Sequence, residues 1–214
     1  MVIKLFLLGR PGCGKSSAAR HIVQQLQEQG RNSRRFNDYD ILWKMFEDET
    51  RVDSRTHKRF RPASGREIDG REYKGFDVLD PQALSEALTL LQDQVNAAML
   101  SSKEELFIIE FARNNYDETF RRLSRDFLQS SYFLFIKTSV EDCIHRIHER
   151  VAHPSAPFDD HFVSEFALRN YYRDESFPTN EEIRGRVSII DNQSSLQNFL
   201  SKIDQFLEEL QSKF

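Results

Sequence analysis

Short apolar runs alternate along this chain with longer stretches in which apolar residues recur at helical spacing. The mostly apolar runs lie at 2–8, 106–109, 132–137 and 187–190. Runs of this length are typical of strands buried on both faces of a parallel sheet. A shorter and more polar run at 34–40, which ends in acids, predicts one further strand. The pattern therefore predicts about five strands.

The stretches between these strands predict helices. The first is predicted over 16–29, and Gly30 is a natural stop for it. The longest is predicted over 81–100, where Pro81 suits the first helical position and Asp80 suits the cap. Further helices are predicted at 41–48, 116–129, 140–151, 162–173 and 196–210.

Two segments interrupt the alternation. Residues 51–75 carry much charge, three glycines and little periodicity, which predicts an irregular insert. Residues 153–160 contain Pro154 and Pro157 and predict a loop. Because no repeat or linker divides the chain, the alternation predicts one α/β domain over 1–214, with helices on both faces of a parallel sheet.

The segment from Gly9 to Ser16 fits the pattern G-x-x-x-x-G-K-[ST] at every fixed position, between a predicted strand and a predicted helix. Glycines let the backbone curl until several N–H groups point at one anion, and the positive end of the helix dipole lies at the same place. In such a loop Lys15 reaches the β- and γ-phosphates and the Ser16 hydroxyl binds magnesium. ATP and Mg²⁺ are therefore the predicted cofactors.

The predicted nucleotide-binding residues are Gly9, Arg10, Pro11, Gly12, Cys13, Gly14, Lys15, Ser16 and Ser17. Arg10 and Cys13 occupy free positions of the pattern, so their side chains are given no role.

Composition narrows the class of protein. The net charge of −4 argues against a protein that coats nucleic acid or an anionic membrane. The two cysteines, Cys13 and Cys143, form neither a disulfide framework nor a metal cluster, which favours a reducing cytoplasm. No apolar run approaches the ~20 residues that span a bilayer. We therefore expect a cytoplasmic protein without a membrane anchor.

With this loop and this order of elements, the chain resembles the P-loop kinases of small molecules. That group includes nucleoside monophosphate kinases, shikimate kinase, gluconate kinase and the kinase domain of polynucleotide kinase. The resemblance covers most of the chain in order of elements, and the P-loop is its most specific part. It implies a three-layer P-loop NTPase fold with sheet order 2-3-1-4-5 and Mg-ATP as donor. It also implies an acceptor-binding insert at 44–80 and a lid at about 146–173.

Two acids, Asp38 and Asp40, end the second predicted strand. Open α/β sheets bind ligands beyond the carboxyl ends of their strands, and a carboxylate there can accept a hydroxyl proton as the phosphoryl group moves. Shikimate kinase and its relatives have an Asp-x-Asp or a single Asp at this place. The resemblance implies that Asp40 is the base and Asp38 its support. An ordinary helix cap is the structural alternative for Asp40.

Glu110 and Arg113 follow the third strand. Nucleoside monophosphate kinases carry an Asp and an Arg here, and deoxynucleoside kinases a Glu-Arg pair. The spacing in this chain matches neither pattern, which weakens the expectation of a nucleoside substrate. Glu110 is predicted to hold magnesium through water, and Arg113 to bind the acceptor or a phosphate. A salt bridge at the strand end is the alternative.

Arg146 and Arg150 lie four residues apart, on one face of a predicted helix that leads into the 153–160 loop. In the resembling kinases, arginines of this lid clamp the transferring phosphoryl group, where charge stabilisation is most of the catalysis. A solvated helix face is the alternative. The stretch 51–61 is locally basic, which is consistent with an anionic acceptor or with a solvated segment.

Together these features predict a P-loop kinase that moves the γ-phosphoryl group of Mg-ATP to a hydroxyl or phosphate of a small molecule or nucleotide. Its predicted catalytic residues are Lys15, Asp38, Asp40, Arg146 and Arg150. Two alternatives stay open: a polynucleotide 5′-hydroxyl kinase, whose acceptor is nucleic acid, and a nucleotide-dependent switch or accessory ATPase without an acceptor. Against the switch, the sequence lacks Asp-x-x-Gly and Asn-Lys-x-Asp motifs.

Overall fold

Strands and helices alternate along the chain in the computed structural model, which describes residues 2–51, 58–64, 74–101, 106–153 and 161–212. In chain order the elements are β1 (Ile3–Leu8), α1 (Lys15–Glu28), β2 (Ser33–Asn37), α2 (Asp38–Arg51), β3 (Phe60–Ser64), β4 (Lys74–Val78), α3 (Pro81–Met99), β5 (Leu106–Glu110), α4 (Tyr116–Phe120), α5 (Arg125–Leu128), β6 (Ser131–Lys137), α6 (Val140–Ala152), α7 (Glu165–Asn170), β7 (Val187–Asp191) and α8 (Leu196–Gln211). None of the helices among these described residues has the length and apolarity that a membrane span requires.

The central sheet contains five parallel strands in the order β2-β5-β1-β6-β7. When these five strands alone are numbered along the chain, the order is 2-3-1-4-5, so the predicted order is confirmed. In the middle strand, Leu5 pairs with Ile108 of β5 and with Tyr132 of β6. Every residue of β1 is buried, which explains its nearly unbroken apolar sequence.

The two faces of the sheet cover separate hydrophobic cores, because successive side chains of a strand point to opposite faces. Leu5 and Leu7 belong to the core that includes buried residues of α1, α6 and α8. Phe6 and Leu8 belong to the core that includes buried residues of α2 and α3. The predicted three-layer α/β fold, with helices on both faces, is therefore confirmed.

A two-stranded antiparallel sheet, β3 with β4, occupies part of the segment expected to be irregular. That expectation is wrong for the described residues here, and 52–57 and 65–73 lie outside them. Phe60 and Phe76 are both buried, and Phe60 pairs with Val78. Two short strands with one buried aromatic each have too weak an alternation to be recognised among the surrounding charges.

Helix boundaries depend on side-chain caps. The carboxylate of Asp80 caps α3, as predicted. The single helix predicted at 116–129 is wrong, since the segment forms α4 and α5. The Ser124 hydroxyl accepts a hydrogen bond from the N–H of Phe127 at 3.2 Å and starts a second helix. Ser164 caps α7 in the same way, so this helix starts later than the predicted 162.

The hairpin β3–β4 is joined to the segment that precedes α7 by a very close backbone contact. Gly75 forms a parallel bridge with Phe162, and a Cβ added to Gly75 would lie 2.0 Å from the Phe162 carbonyl oxygen. Beside it, the buried Asp77 accepts hydrogen bonds from the Ser164 hydroxyl at 2.5 Å and from Arg61 Nη2 at 2.6 Å. The predicted insert and the far end of the predicted lid are therefore packed together.

Replacing Gly75 with alanine tests this contact. Because the added methyl group meets backbone atoms that cannot rotate away, we expect Gly75→Ala to lower the free energy of unfolding by about 1–3 kcal/mol. Gly185→Ala is the matched control, since a Cβ there meets nothing within 4 Å, and it should change stability by less than about 0.5 kcal/mol. Urea unfolding measures both, and equal effects would contradict the close approach.

Candidate functional site

The turn at 9–14, which joins β1 to α1, has a backbone that glycine adopts most readily. Gly9, Gly12 and Gly14 have φ angles of +129°, +83° and +111°. Space is equally restrictive, because a Cβ on Gly12 would lie 2.6 Å from the carbonyl oxygen of Cys143. No side chain among the described residues caps the N-terminus of α1. The first N–H groups of α1 and the positive end of its dipole therefore suit an anion.

Lys15 folds back over this turn. Its Nζ donates hydrogen bonds to the carbonyl oxygens of Gly9, at 2.5 Å, and Arg10, at 3.0 Å. An ammonium group held by neutral carbonyl oxygens is attracted more strongly by a phosphate, because the phosphate carries a full negative charge. The side chain is therefore placed to exchange these carbonyls for an incoming anion.

Ser16 and Glu110 meet at the end of β5. The Ser16 hydroxyl donates to Oε2 of Glu110 at 3.2 Å, and Nε and Nη2 of Arg35 hold Oε1 at 3.0 and 2.7 Å. A hydroxyl and a carboxylate suit Mg²⁺, which takes oxygen ligands and keeps several waters or phosphate oxygens. Among the described residues no cluster of three or more His, Cys, Asp or Glu side chains offers a closed metal site. The donor set therefore fits a magnesium ion bound together with phosphates.

The rear of the turn is anchored to the ends of β6 and β7. The carbonyl oxygen of Cys13 accepts hydrogen bonds from the amide of Asn192, at 2.8 Å, and the hydroxyl of Thr138, at 3.3 Å. Asn192 also packs so closely on Gly14 that a Cβ there would lie 2.7 Å from Nδ2. The Asn192 carbonyl accepts a hydrogen bond from Arg146 Nη2 at 2.9 Å. The turn is thus held in shape by residues that follow β6 and β7.

A buried network behind the turn was not foreseen from the sequence. The Tyr116 hydroxyl accepts hydrogen bonds from the N–H groups of Gly9, at 2.7 Å, and Arg113, at 3.3 Å, and it lies 3.4 Å from Oε1 of Glu175. Arg10 Nε donates to Oε2 of Glu175 at 3.2 Å. Arg10, expected to have no side-chain role, therefore ties the turn to Glu175. No local motif links residues so far apart in the sequence.

The two candidate acids lie in the first turn of α2 and not at the end of a strand. The helix is predicted over 41–48 but begins at Asp38. Asn37 caps it, because its Oδ1 accepts the N–H of Asp40 at 2.9 Å while its amide donates to the Asp40 carboxylate at 2.8 Å. The first-turn position also places both acids near the positive end of the helix dipole.

Asp38 forms a buried ion pair with Arg113. Arg113 Nη1 lies 2.5 Å from Oδ2 of Asp38, and both residues are at most 6 % exposed. The same guanidinium donates to the carbonyl oxygens of Ala112, at 2.7 Å, and Leu84, at 2.8 Å. Asp38 is therefore fixed in place by a cation whose other donors are tied to backbone, whereas Asp40 is exposed.

One cleft of about 1420 Å³ brings most of the candidate residues together. It is lined by Pro11, Gly12, Gly14, Lys15, Ser16, Ser17, Asp38, Asp40, Glu110, Arg113, Arg146 and Arg150. Gly9, Arg10 and Cys13 are not among its described lining residues and make the contacts behind the turn. A cleft of this size exceeds the range of about 300–1,000 Å³ that is usual for one small ligand.

Arg146 and Arg150, the two arginines of the predicted lid, border the cleft from α6. Arg150 Nη2 donates to the carbonyl oxygen of His161 at 2.7 Å, and Arg146 is held by Asn192 as described above. Residues 154–160, the centre of the predicted lid, lie outside the described residues. The assignment of both arginines to the transferring phosphoryl group remains a prediction.

Solved structures with the same fold are P-loop kinases and related proteins. The APS kinase of Mycobacterium tuberculosis, solved with AMPPNP and APS, has a TM-score of 0.58, 15% identity, and coverage of 96% of this chain and 97% of that chain. A gluconokinase of Sinorhizobium meliloti has a TM-score of 0.56, 15% identity, and coverage of 99% and 97%. Kti12 of Chaetomium thermophilum, solved with ADP-AlF3, has a TM-score of 0.54, 12% identity, and coverage of 96% and 97%.

No protein-family model matches the sequence, and neither does any curated protein. At identities this low, the structural matches establish that the chain has the P-loop kinase fold, over nearly its whole length.

The buried Glu175 makes stability depend on pH. Burial raises the pKa of Glu175 to about 7, against the opposing effect of Arg10. The folded state therefore keeps a proton that the unfolded state loses at its ordinary pKa of 4.5, so the free energy of unfolding falls as pH rises from 4.5 to about 7. In Glu175→Gln, the fall in the free energy of unfolding between pH 4.5 and about 7 should be smaller by roughly 2–3 kcal/mol.

Urea unfolding across this pH range measures the effect. The exposed Glu181→Gln is the matched control and should keep the wild-type slope. Parallel pH curves for wild type and Glu175→Gln would show that the carboxyl group is not buried as described.

Proposed function

We propose that this protein is an ATP-dependent phosphotransferase, which moves the γ-phosphoryl group of Mg-ATP to a hydroxyl or phosphate of a small-molecule or nucleotide acceptor. The observation that carries the proposal is that Asp38 and Asp40 line the same cleft as Lys15 and Ser16. A switch or accessory ATPase needs Lys15 and Ser16 to bind its nucleotide. It has no acceptor on which Asp38 and Asp40 would act.

At the nucleotide end, the chain supplies a charge-stabilising cradle. The N–H groups of the turn and of α1 bind the β- and γ-phosphates, and Lys15 leaves the carbonyls of Gly9 and Arg10 to neutralise the same oxygens. Ser16 would hold a magnesium ion with its hydroxyl and Glu110 would hold it through water, and the bound ion would neutralise charge on the phosphate oxygens. Most of the predicted rate acceleration is electrostatic and is built into the fold before the substrate arrives.

At the acceptor end, the two acids have different tasks. Asp40 is exposed to the cleft and accepts the proton of the acceptor hydroxyl as its oxygen attacks the γ-phosphorus. Asp38, held by Arg113, is a fixed negative charge that orients the acceptor. Arg113 acts as a positioning residue for Asp38. Direct binding of the acceptor or a phosphate by Arg113 stays a prediction. Arg146 and Arg150 stabilise the charge that spreads over the transferring oxygens.

The structural relatives are consistent with two ligands in one cleft. The APS kinase was solved with AMPPNP and APS together. Kti12 was solved with ADP-AlF3, a nucleotide complex. A nucleotide-dependent accessory role stays as the second candidate.

A nucleic-acid acceptor receives less support. In the basic stretch, Arg59 forms ion pairs with Glu49 and Glu86, and Arg61 forms one with Asp77. Arginines already paired with carboxylates offer little to a phosphate backbone, which is bound through its negative charge. Arg51 and Lys58 of this stretch are exposed, and 52–57 lies outside the described residues.

Transfer of label from γ-labelled Mg-ATP tests the proposal. The acceptor panel holds nucleosides, nucleoside monophosphates, sugar acids, shikimate-like alcohols, coenzyme precursors and short oligonucleotides. We expect label on one class of acceptor, and a loss of about 100-fold or more in Lys15→Ala, because one charge-stabilising donor contributes at least that much. ATP hydrolysis with no labelled acceptor would contradict the phosphotransferase and favour the accessory ATPase.

Asp40→Asn tests the base. Loss of general-base catalysis should lower kcat by about 10²–10⁴-fold and change the KM for ATP little. Asp48→Asn, an exposed position of the same helix α2, is the matched control. Full transfer activity in Asp40→Asn would remove Asp40 from the mechanism.

A further inference from the structure

The part of the cleft beyond the phosphate turn is walled by aromatic side chains from four separate segments. We call this part the aromatic lobe, and it is lined by Tyr39 and Trp43 of α2, Phe76 of β4, His161 and Phe166 around the start of α7, and Tyr171 and Tyr172 after α7. Ligand sites are mostly apolar, with few polar groups that fix orientation. The aromatic lobe therefore indicates what sort of molecule lies next to the two acids.

Ring contacts join Tyr39, Trp43, Phe76 and His161 into one fixed part of this wall. The Tyr39 ring stacks on Phe76 with centroids 5.6 Å apart and lies 4.1 Å from the ring of His161. Trp43 lies 6.0 Å from Phe76. Because Phe76 and His161 come from the hairpin and the lid, the packing of Gly75 on Phe162 holds both sides of the wall at a fixed separation. Fixed aromatic side chains that line a cleft favour a planar ligand.

The rim of the lobe exposes further apolar surface. Phe166 is 60 % exposed and Leu79 is 48 % exposed, and both line the cleft. Large apolar side chains exposed together at the mouth of a cleft are typical of a surface that a ligand covers. Arg61 lies over the Phe166 ring at 5.1 Å, but its charge is paired with Asp77.

The charge of the lobe argues against an anionic acceptor. Asp38 and Asp77 line the cleft with their charges offset by Arg113 and Arg61, and Asp40 adds a further negative charge beside them. A carboxylate or phosphate of an acceptor whose hydroxyl faced Asp40 would be repelled by that carboxylate. A hydroxyl group, in contrast, can donate to a carboxylate oxygen without that cost.

From these observations we infer that the aromatic lobe binds a neutral alcohol carrying a planar ring, and that this alcohol is the phosphoryl acceptor. The inference rests on the proposed phosphotransferase activity and names its substrate class. The ring lies against Tyr39, Trp43 and Phe166, and the hydroxyl faces Asp40. Its oxygen forms a bond to the γ-phosphorus, the bond from that phosphorus to the bridging oxygen of ADP breaks, and Asp40 takes the hydroxyl proton.

Trp43 provides a direct probe, because it is the sole tryptophan of the chain. Its fluorescence is titrated, in the presence of Mg-AMPPNP, with adenosine, cytidine and pyridoxine as neutral ring-bearing alcohols. Ribose lacks the planar ring, gluconate lacks the ring and adds charge, and AMP keeps the ring but adds charge. We expect a saturable change with at least one ring-bearing alcohol, and at least about tenfold weaker binding of ribose, gluconate and AMP.

Two exposed phenylalanines give a matched pair of variants. Phe166→Ala removes part of the lobe and should weaken the ring-bearing ligand by about 5- to 100-fold, the range expected for loss of one stacking side chain. Phe177 is 45 % exposed and is not among the described residues that line the cleft, so Phe177→Ala should leave binding unchanged. Because both side chains are exposed, neither variant is expected to unfold the protein.

Transfer of label from γ-labelled ATP to the same ligands separates a failure of the ring inference from a failure of the proposed phosphotransferase activity. Transfer to ribose or gluconate in preference to the ring-bearing alcohols would overturn the ring inference and leave the phosphotransferase standing. The absence of a saturable response to every ring-bearing alcohol would also overturn it. Saturable binding of the ring-bearing alcohols without label on any of them would overturn the acceptor assignment, and only the absence of label on every acceptor of the panel would overturn the phosphotransferase as well.

Discussion

The whole site depends on one sharp turn between a strand buried on both faces and a helix without a side-chain cap. Three glycines at positive φ let the backbone of 9–14 curl. The backbone of Cys143 leaves no room for a Cβ at Gly12. Fixed N–H groups and a helix dipole form a site for anions that needs no rearrangement. Asn192, Thr138 and Tyr116 hold the turn from behind, so its shape is a property of the fold.

The second constraint is the placement of acids next to this anion site. Two carboxylates that line the same cleft as an anion site raise the electrostatic energy of the cleft unless a cation or a bound ligand offsets their charge. Arg113 offsets the charge of Asp38 inside the protein, and losing one partner of such a buried pair leaves an uncompensated charge. Asp40 stays exposed to the cleft. The contact of Gly75 with Phe162 joins the hairpin to the segment before α7.

The sequence predicts the parts of this structure that depend on local pattern. Apolar runs identify four of the five sheet strands, and a shorter polar run identifies β2. The glycine pattern identifies the phosphate turn, and Asp80 identifies the start of α3. Parts that depend on partners distant in sequence could not be predicted. The burial of Phe60 and Phe76, the second helix start at Ser124, and the links from Tyr116 and Glu175 to the turn arise only when the chain has folded. The same limit explains why Arg10 had no predicted role.

The central claim is that the turn at 9–14 binds the phosphates of a nucleoside triphosphate. Calorimetric titration of wild type and Lys15→Ala with ATP, ADP and AMP, each with Mg²⁺, tests it most directly. The account predicts that affinity falls from ATP to ADP to AMP, and that Lys15→Ala weakens ATP binding by about tenfold or more. Equal affinity for ATP and AMP, or unchanged ATP binding in Lys15→Ala, would contradict it.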